Sequence, residues 1–302
     1  SSFPVYWKPS QESLTISSSK EKNIANIHSE RKDNVLTVGK VISGEPNLVL
    51  ENSGFRVSGS LKTSYVEHAY IEPEAGASWM DGNTLVIQAC TQAPIMDRDD
   101  TANILGLEKE QVRIIPATAG GGFGSKLDVS IQPLLGLVTL KTDKPCRIAY
   151  TRNESMMSTT KRHPADMNAL ISANKDGKIV GMIFDGDFNT GAYASWGPTV
   201  ATRVPIHASG PYYTPNYKAS GNALYSNGPI SGAFRGFGVP QAAALQETLY
   251  DQLADICNID QLEFRKINAL QDGQKTVCGQ QLHGVGILEC LDALSQKWKE
   301  SL

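Results

Sequence analysis

The 302-residue sequence contains no apolar run near the ~20 residues that a membrane-spanning helix needs. Ser1 to Ser19 lack the apolar core of a secretory signal, so a cytoplasmic setting is expected. The five cysteines, Cys90, Cys146, Cys257, Cys278 and Cys290, are scattered and form no C-x-x-C pair. That spacing excludes a disulfide framework, a thiolate zinc site and an iron–sulfur cluster held by this chain alone. The five histidines show no ligand spacing either and read as surface or core residues, so no side chain is expected to ligate a metal directly. A net charge of -3 without a basic face excludes an electrostatic nucleic-acid binder.

Glycine, by contrast, is concentrated. Ala119-Gly120-Gly121-Gly122-Phe123-Gly124-Ser125-Lys126 holds four glycines in eight residues. Such a run lets the backbone approach another molecule and aim its N–H groups together. It follows a strand pattern, Gln111 to Ile115, and precedes apolar residues at helical spacing: Leu127, Ile131, Leu134, Leu135 and Val138. Strand, glycine loop and helix is the layout of an anion or cofactor cradle. It is not a P-loop, because no hydroxyl residue follows Lys126, and it lacks G-x-G-x-x-G spacing. A tight turn without a ligand is the plain alternative.

The rest of the chain reads as α+β, mixed sheets with packed helices, strands grouped and helices trailing. Residues 1–34 are polar and read as an extended arm or linker. Residues 35–302 carry the core, with two α+β subdomains divided near 145–160 or 230–240. Strands are expected over Val35 to Ile42, Phe55 to Leu61, Thr84 to Cys90, Cys146 to Tyr150 and Tyr217 to Tyr225. A hairpin is expected from Met167 to Phe188 around Asp176-Gly177. Helices are expected from Asp97 as N-cap to Leu107, and from Ser130 as N-cap with Pro133 in the first turn. Later helices carry the stripes Leu245, Leu249, Leu253 and Ile256; Leu262, Phe264 and Ile267; and Ile287, Leu291, Leu294 and Trp298. A second glycine-rich stretch, Ser231 to Gln241, also opens a helix. Two such loops suggest two sides of one bound molecule.

Five motifs then stand in order: Thr91-Gln92, Gly120 to Gly124, Arg162-His163-Pro164, Gly191-Ala192-Tyr193 and Ala233-Phe234-Arg235-Gly236-Phe237-Gly238. Together they resemble the molybdenum-binding subunit of the xanthine dehydrogenase and aldehyde oxidase family of molybdenum hydroxylases. The resemblance implies a molybdopterin-bound molybdenum, in bacteria often the cytosine dinucleotide form. It implies oxidation of an N-heteroaromatic, nicotinate- or purine-like substrate with water as oxygen donor. Electrons would leave through 2Fe-2S clusters to FAD on an iron–sulfur subunit and an FAD subunit.

The resemblance also implies residue roles. Gln92, Phe123 and Arg235 are the expected catalytic positions: an amide donor, an aromatic wall and a fixed cation. Gln92, Gly122, Phe123, Gly124, Ala233, Phe234 and Arg235 are the expected cofactor contacts. Phe123, Leu127 and Phe237 are the expected substrate contacts. Arg162-His163-Pro164 reads as structural.

Two departures bear on this. Xanthine-specific members hold the purine with a glutamate after the loop lysine and an arginine in the loop after Gly191; here those positions read Leu127 and Ala194. Loss of such contacts discriminates against xanthine. Asp128 lies one step along and points elsewhere. The family's general-base glutamate, which follows a Gly-x-Gly signature, has no counterpart, since Gly284-Val285-Gly286 runs into Ile287. A second molybdopterin-binding half is therefore an expected partner. The alternatives are an aldehyde oxidase or xanthine dehydrogenase component, or a non-catalytic scaffold for assembly.

Overall fold

The computed structural model describes residues 4, 6, 13–20, 26–51 and 54–302. The strands among them are β1 (Val35–Ser43), β2 (Phe55–Thr63), β3 (Ala75–Asp81), β4 (Thr84–Ala89), β5 (Val112–Pro116), β6 (Cys146–Ala149), β7 (Ala165–Ala173), β8 (Ile179–Gly191) and β9 (Asn216–Tyr225). The α-helices are α1 (Ile16–Ser19), α2 (Asn47–Glu51), α3 (Pro94–Leu105), α4 (Gln132–Thr142), α5 (Arg152–Ser158), α6 (Gly197–His207), α7 (Val239–Cys257), α8 (Gln261–Asn268) and α9 (Ile287–Ser301).

Two mixed sheets result. The larger has the order β1-β9-β8-β7-β2, and the smaller β5-β4-β3-β6. Residues Ala165, Met167, Ala169 and Ile171 of β7 are buried, the period of two expected for a strand with one face on a core. That face meets α7 through Leu245, Leu249 and Leu253. Leu85, Ile87, Ile131 and Leu135 form the separate core of the small sheet. Among the described residues no helix is long and apolar enough to cross a membrane.

Parallel neighbours need a crossover, and each sheet has one such pair. The β4–β5 pair is joined through α3, and the β8–β9 pair through α6. Helix α6 is absent from the sequence expectation because Gly197, Pro198 and Pro205 hide it. Pro198 sits in the first turn, where no N–H is needed, and Pro205 lies inside the helix. The helix rests on a cross-strand glycine pair, Gly39 opposite Gly221. A β-carbon at Gly39 would lie 2.6 Å from Thr202 Cα, and one at Gly221 would lie 2.4 Å from the Ala201 carbonyl.

Several local expectations are corrected. Helix α3 begins at Pro94 with Ala93 as N-cap, so Asp97 is not a cap. It is buried inside the helix, where its carboxylate accepts from Gln132 Nε2 at 2.9 Å. Helix α4 is preceded by Ile131 rather than Ser130 as N-cap, with Pro133 in its first turn as expected. Its apolar stripe splits: Ile131 and Leu135 are buried, whereas Leu134 and Val138 face outward. Ile256, Ile267 and Leu294 are likewise exposed. β3 and α5 were not foreseen, and helices lie between strands rather than only after them.

Within residues 1–34 the described portion is docked. Ser13 and Ser19 are buried, and Ser13 exchanges backbone bonds with Asn227, donating to its Oδ1 at 3.0 Å and accepting from its N–H at 2.6 Å. Residues 1–3, 5, 7–12 and 21–25 of the expected arm lie outside the described residues. The chain leaves the small sheet at Ala149 and enters β7 at Ala165, while β1 and β2 of the large sheet precede both.

The Gly39–Gly221 contact is testable. Gly221→Ala pushes a methyl group against a backbone carbonyl and is expected to cost about 2 kcal/mol, within the usual range for overpacking. Denaturant unfolding should show a lower midpoint, and an unchanged midpoint would mean that α6 is not seated as described.

Candidate cofactor and active site

The end of β4 delivers Gln92 to the first glycine loop. Its backbone N–H donates to Lys126 O at 2.9 Å, and its side-chain Oε1 accepts from Gly124 N–H at 2.9 Å. That bond fixes the amide orientation, because only the oxygen can accept. The Nε2 donor is left without a protein partner among the described residues, and Gln92 is exposed. Gly122 permits this approach, since a β-carbon there would lie 2.5 Å from Gln92 Oε1.

The two glycine loops meet. Arg235 N–H donates to Phe123 O at 2.9 Å. A β-carbon at Gly124 would lie 2.7 Å from Ala233 O and 3.1 Å from Phe234 N. Gly124 also has φ +112, so its lack of a side chain serves both the turn and the contact. Each loop holds a phenylalanine in the left-handed region, Phe123 at φ 52 and Phe237 at φ 46. Such backbone is costly for a bulky residue and persists where its surroundings enforce it.

Side chains from outside the loops hold them in place. Phe234 lies between the His68 ring, 4.0 Å away and stacked, and the Arg162 guanidinium, 3.9 Å above it. Arg162 Nη2 donates to Arg235 O at 2.9 Å, and His68 Nε2 donates to Ala233 O at 2.7 Å. Burial lowers the His68 pKa, which keeps the imidazole neutral and leaves its Nδ1 without a partner. On the first loop, buried Lys126 donates to Glu72 Oε2 at 2.9 Å, Glu72 O at 3.0 Å and Cys90 Sγ at 3.3 Å. Glu72 Oε2 also accepts from Gly120 N–H at 2.8 Å. Against the upward push of partial burial, hydrogen bonds from Cys90, Lys126 and the Gly120 N–H hold the Glu72 carboxyl below its usual range.

Of the expected site residues, Gln92, Gly122, Phe123, Gly124, Ala233, Phe234 and Arg235 are thus brought into one constellation. Phe123 is 49% exposed, and the Arg235 side chain has no ion pair or hydrogen bond among the described residues. Leu127 is half-buried, its N–H tied to Gly124 O. Phe237 is also half-buried; it packs on the large core and meets Trp196 edge-on at 5.9 Å, so part of its surface is structural. His68, Glu72 and the Lys126 ammonium were not foreseen as loop supports. An ionisable lysine inside a glycine run was the available signal.

The donor set fits an oxygen-rich anionic group. The N–H groups of Gly122, Phe123, Ala233 and Phe234 make no hydrogen bond to a protein acceptor among the described residues. Gly122 and Ala233 are buried, and buried N–H groups without acceptors are rare. With the free Gln92 amide and the unpaired Arg235 they offer donors and one cation.

Residues 27–269 match the model of the molybdopterin cofactor-binding domain. The chain belongs to that family. It is a molybdopterin-binding portion of the xanthine dehydrogenase and aldehyde oxidase type. It is 38% identical over 286 residues to the nicotinate dehydrogenase large molybdopterin subunit of Eubacterium barkeri, covering 94% of this chain and 67% of that one. It is 30% identical to a xanthine dehydrogenase molybdenum-binding subunit of Escherichia coli O157:H7, covering 86% of this chain and 35% of that one. Its fold superposes on the aldehyde oxidoreductase of Desulfovibrio gigas with a TM-score of 0.93 at 25% identity, covering 97% of this chain and 32% of that one. The molybdopterin-binding chain therefore spans about a third of the longer relatives it matches.

Two predictions concern the loop supports. Lys126→Met leaves the Glu72 carboxylate and carbonyl without their ammonium and is expected to cost about 3 kcal/mol, the scale for breaking a buried ion pair. Denaturant unfolding checks it; a loss below about 1 kcal/mol would match a surface pair instead. The second concerns Asp128, whose pKa burial raises from 3.8 to about 6. A carboxyl whose pKa rises on folding holds its proton more tightly in the folded state, so stability falls as pH climbs from near 4 through about 6. Asp128→Asn, which stays neutral, should raise the melting temperature by about 2 °C or more at neutral to basic pH, with the gain vanishing in acid. Equal gains at both ends of the pH range would refute this.

Proposed function

We propose that this chain supplies one wall of a molybdenum-cofactor site in a hydroxylase that oxidises an N-heteroaromatic, nicotinate- or purine-like substrate with water as oxygen donor. The observation that carries the reading is the junction of the two glycine loops, where unpartnered N–H groups, the Gln92 amide and the unpaired Arg235 share one constellation. When bound, the molybdenum cofactor supplies two-electron oxidation of a substrate carbon.

The chain's own residues do the positioning. Gln92 Nε2 donates to an oxygen on the cofactor side, its direction set by the Gly124 N–H that holds Oε1. The N–H groups of Gly122, Phe123, Ala233 and Phe234, with Gly124 shaping the turn, cradle anionic oxygens without bringing charge of their own. Arg235 supplies the cation, its backbone fixed at both the N–H and the carbonyl. Phe123 offers an exposed ring for stacking on a flat substrate, and Leu127 and Phe237 are the further substrate contacts that this reading expects. Leu127 stands where xanthine-specific members carry a glutamate, which supports a substrate other than xanthine.

The reading requires further chains or domains: a second molybdopterin-binding half with the general-base glutamate, and iron–sulfur and FAD subunits that carry 2Fe-2S clusters and FAD. The cytosine dinucleotide form of the cofactor belongs to the same reading, as does a cytoplasmic setting.

Purified with its partners, the complex should contain molybdenum and release a cytidine nucleotide on denaturation. Gln92→Ala should lower kcat by about 100-fold with molybdenum content unchanged, the scale for removing one preorganised donor. A metal-free complex with intact partners would favour an assembly scaffold; strong turnover of benzaldehyde over nicotinate would refute the N-heteroaromatic class, and strong turnover of xanthine would refute the reading of Leu127 as disfavouring that purine.

A further inference from the structure

Next to the end of the first glycine loop lies a chamber of about 260 Å³ whose polar lining is nearly all oxygen. Six of the residues lining it are serine or threonine, and three, Glu74, Asp100 and Asp128, are acidic. Among the described residues, Lys126 is the one cation that lines it, and its ammonium is committed to Glu72 and Cys90. None of Gln92, Phe123, Leu127, Phe237 or Arg235 lines the chamber, so it stands apart from the constellation described above. What it lacks is uncommitted positive charge.

One group in it is left incomplete by the fold. Glu74 is 4% exposed; its Oε1 accepts from the Tyr70 hydroxyl, and its Oε2 has no partner. It has no ion pair among the described residues. A desolvated carboxylate with spare lone pairs is costly unless a positive charge stands beside it. Hydroxyl oxygens continue from Glu74. The Tyr70 hydroxyl lies 3.5 Å from Ser125 Oγ, and Ser125 Oγ lies 3.4 Å from Thr160 Oγ1. Both separations are long for O–H···O bonds, so these oxygens keep lone pairs to offer. The place a β-carbon at Gly232 would take is 2.8 Å from Thr160 Oγ1 and 2.9 Å from Asp128 Oδ2. Oxygens from three separate segments, 70–74, 125–128 and Thr160, thus follow one another around the chamber.

We propose that the chamber holds a monovalent alkali cation, with Glu74 Oε2 as its charged ligand and the Ser125 and Thr160 hydroxyls as neutral ones. Hard cations take oxygen ligands, and one desolvated carboxylate matches one positive charge. The several carboxylates that a divalent ion collects are not assembled: no group of three His, Cys, Asp or Glu among the described residues is placed to hold a metal ion. The chamber is wider than one bare ion, and water in the remaining space completes its shell. The ion couples parts of the frame. Ser125 follows the Gly124 turn, and Tyr70 packs against Gly121. Lys161, next to Thr160, pairs with Ser231 at the start of the second glycine-rich stretch. An ion shared by Glu74, Ser125 and Thr160 therefore stiffens the junction of the two loops from outside it. This inference does not rest on the functional reading above.

The test is thermal unfolding of the full chain in potassium, sodium or choline chloride at one ionic strength, about 0.1 M. Potassium or sodium should raise the melting temperature over choline by about 3 °C or more, the response to a ligand that binds only the folded state. Glu74→Gln should abolish that difference. Thr160→Val keeps the side-chain shape and every carboxylate; it should at least halve the difference, and it covers the case in which Glu74→Gln does not fold. Thallium(I), a heavy substitute for potassium, should give an anomalous scattering peak in the chamber in crystals of the chain. Equal melting in all three salts, or an undiminished alkali shift in either variant, would overturn the proposal, as would the absence of a thallium peak. Greater stabilisation by calcium than by potassium at equal ionic strength would overturn the monovalent assignment.

Discussion

The site depends on one backbone-to-backbone contact, where the turn at Gly124 lies against the Ala233 carbonyl and Arg235 N–H reaches Phe123 O. Two segments more than a hundred residues apart in sequence are joined there without any side chain between them. A methyl group at Gly124 would meet Ala233 O at 2.7 Å, and the loops would have to part. Gln92 lies against the first loop only because Gly122 is equally bare. Every functional group in the constellation takes its position from this close approach.

Charge is handled in two contrasting ways around that junction. Lys126 and Glu72 neutralise each other in partial burial and tie Gly120 into the same cluster. Arg162 spreads its cation over the Phe234 ring and gives its donors to loop carbonyls. These groups are satisfied and rigid, as a scaffold requires. Arg235, Glu74 and Asp128 are not: each keeps bonding capacity that the fold does not use. Unspent capacity of this kind marks where a ligand or ion is expected to complete the network.

Much of this was legible in the sequence, and the reasons differ by element. Gln92, Phe123 and Arg235 stand in motifs whose order survives any change of surface, so their family relation was readable. The strands β1, β2 and β4 announced themselves through β-branched or alternating runs, and β7 and β8 through the hairpin turn at Asp176-Gly177. The loop supports were not readable, because their partners are remote: Lys126 meets Glu72 across 54 positions and Ser195 meets Asp128 across 67. Helix α6 was hidden by two prolines whose costs depend on where in the helix they fall. On α4 periodicity identified a helix but not the stripe that meets the sheet, so Leu134 and Val138 were misjudged. Asp97 looked like a cap because its type favours that role, but Ala93 stands there instead and Asp97 bonds Gln132.

The supports of the two loops come from residues 68 to 74, Cys90 and Arg162, while Phe123, Leu127 and Phe237 make none of the bonds that hold the junction through their side chains. Framework and selectivity are therefore written in separate residues. A lineage can exchange Phe123 or Leu127 and so try new reactants without rebuilding the frame beneath them, whereas Phe237 also packs on the large core.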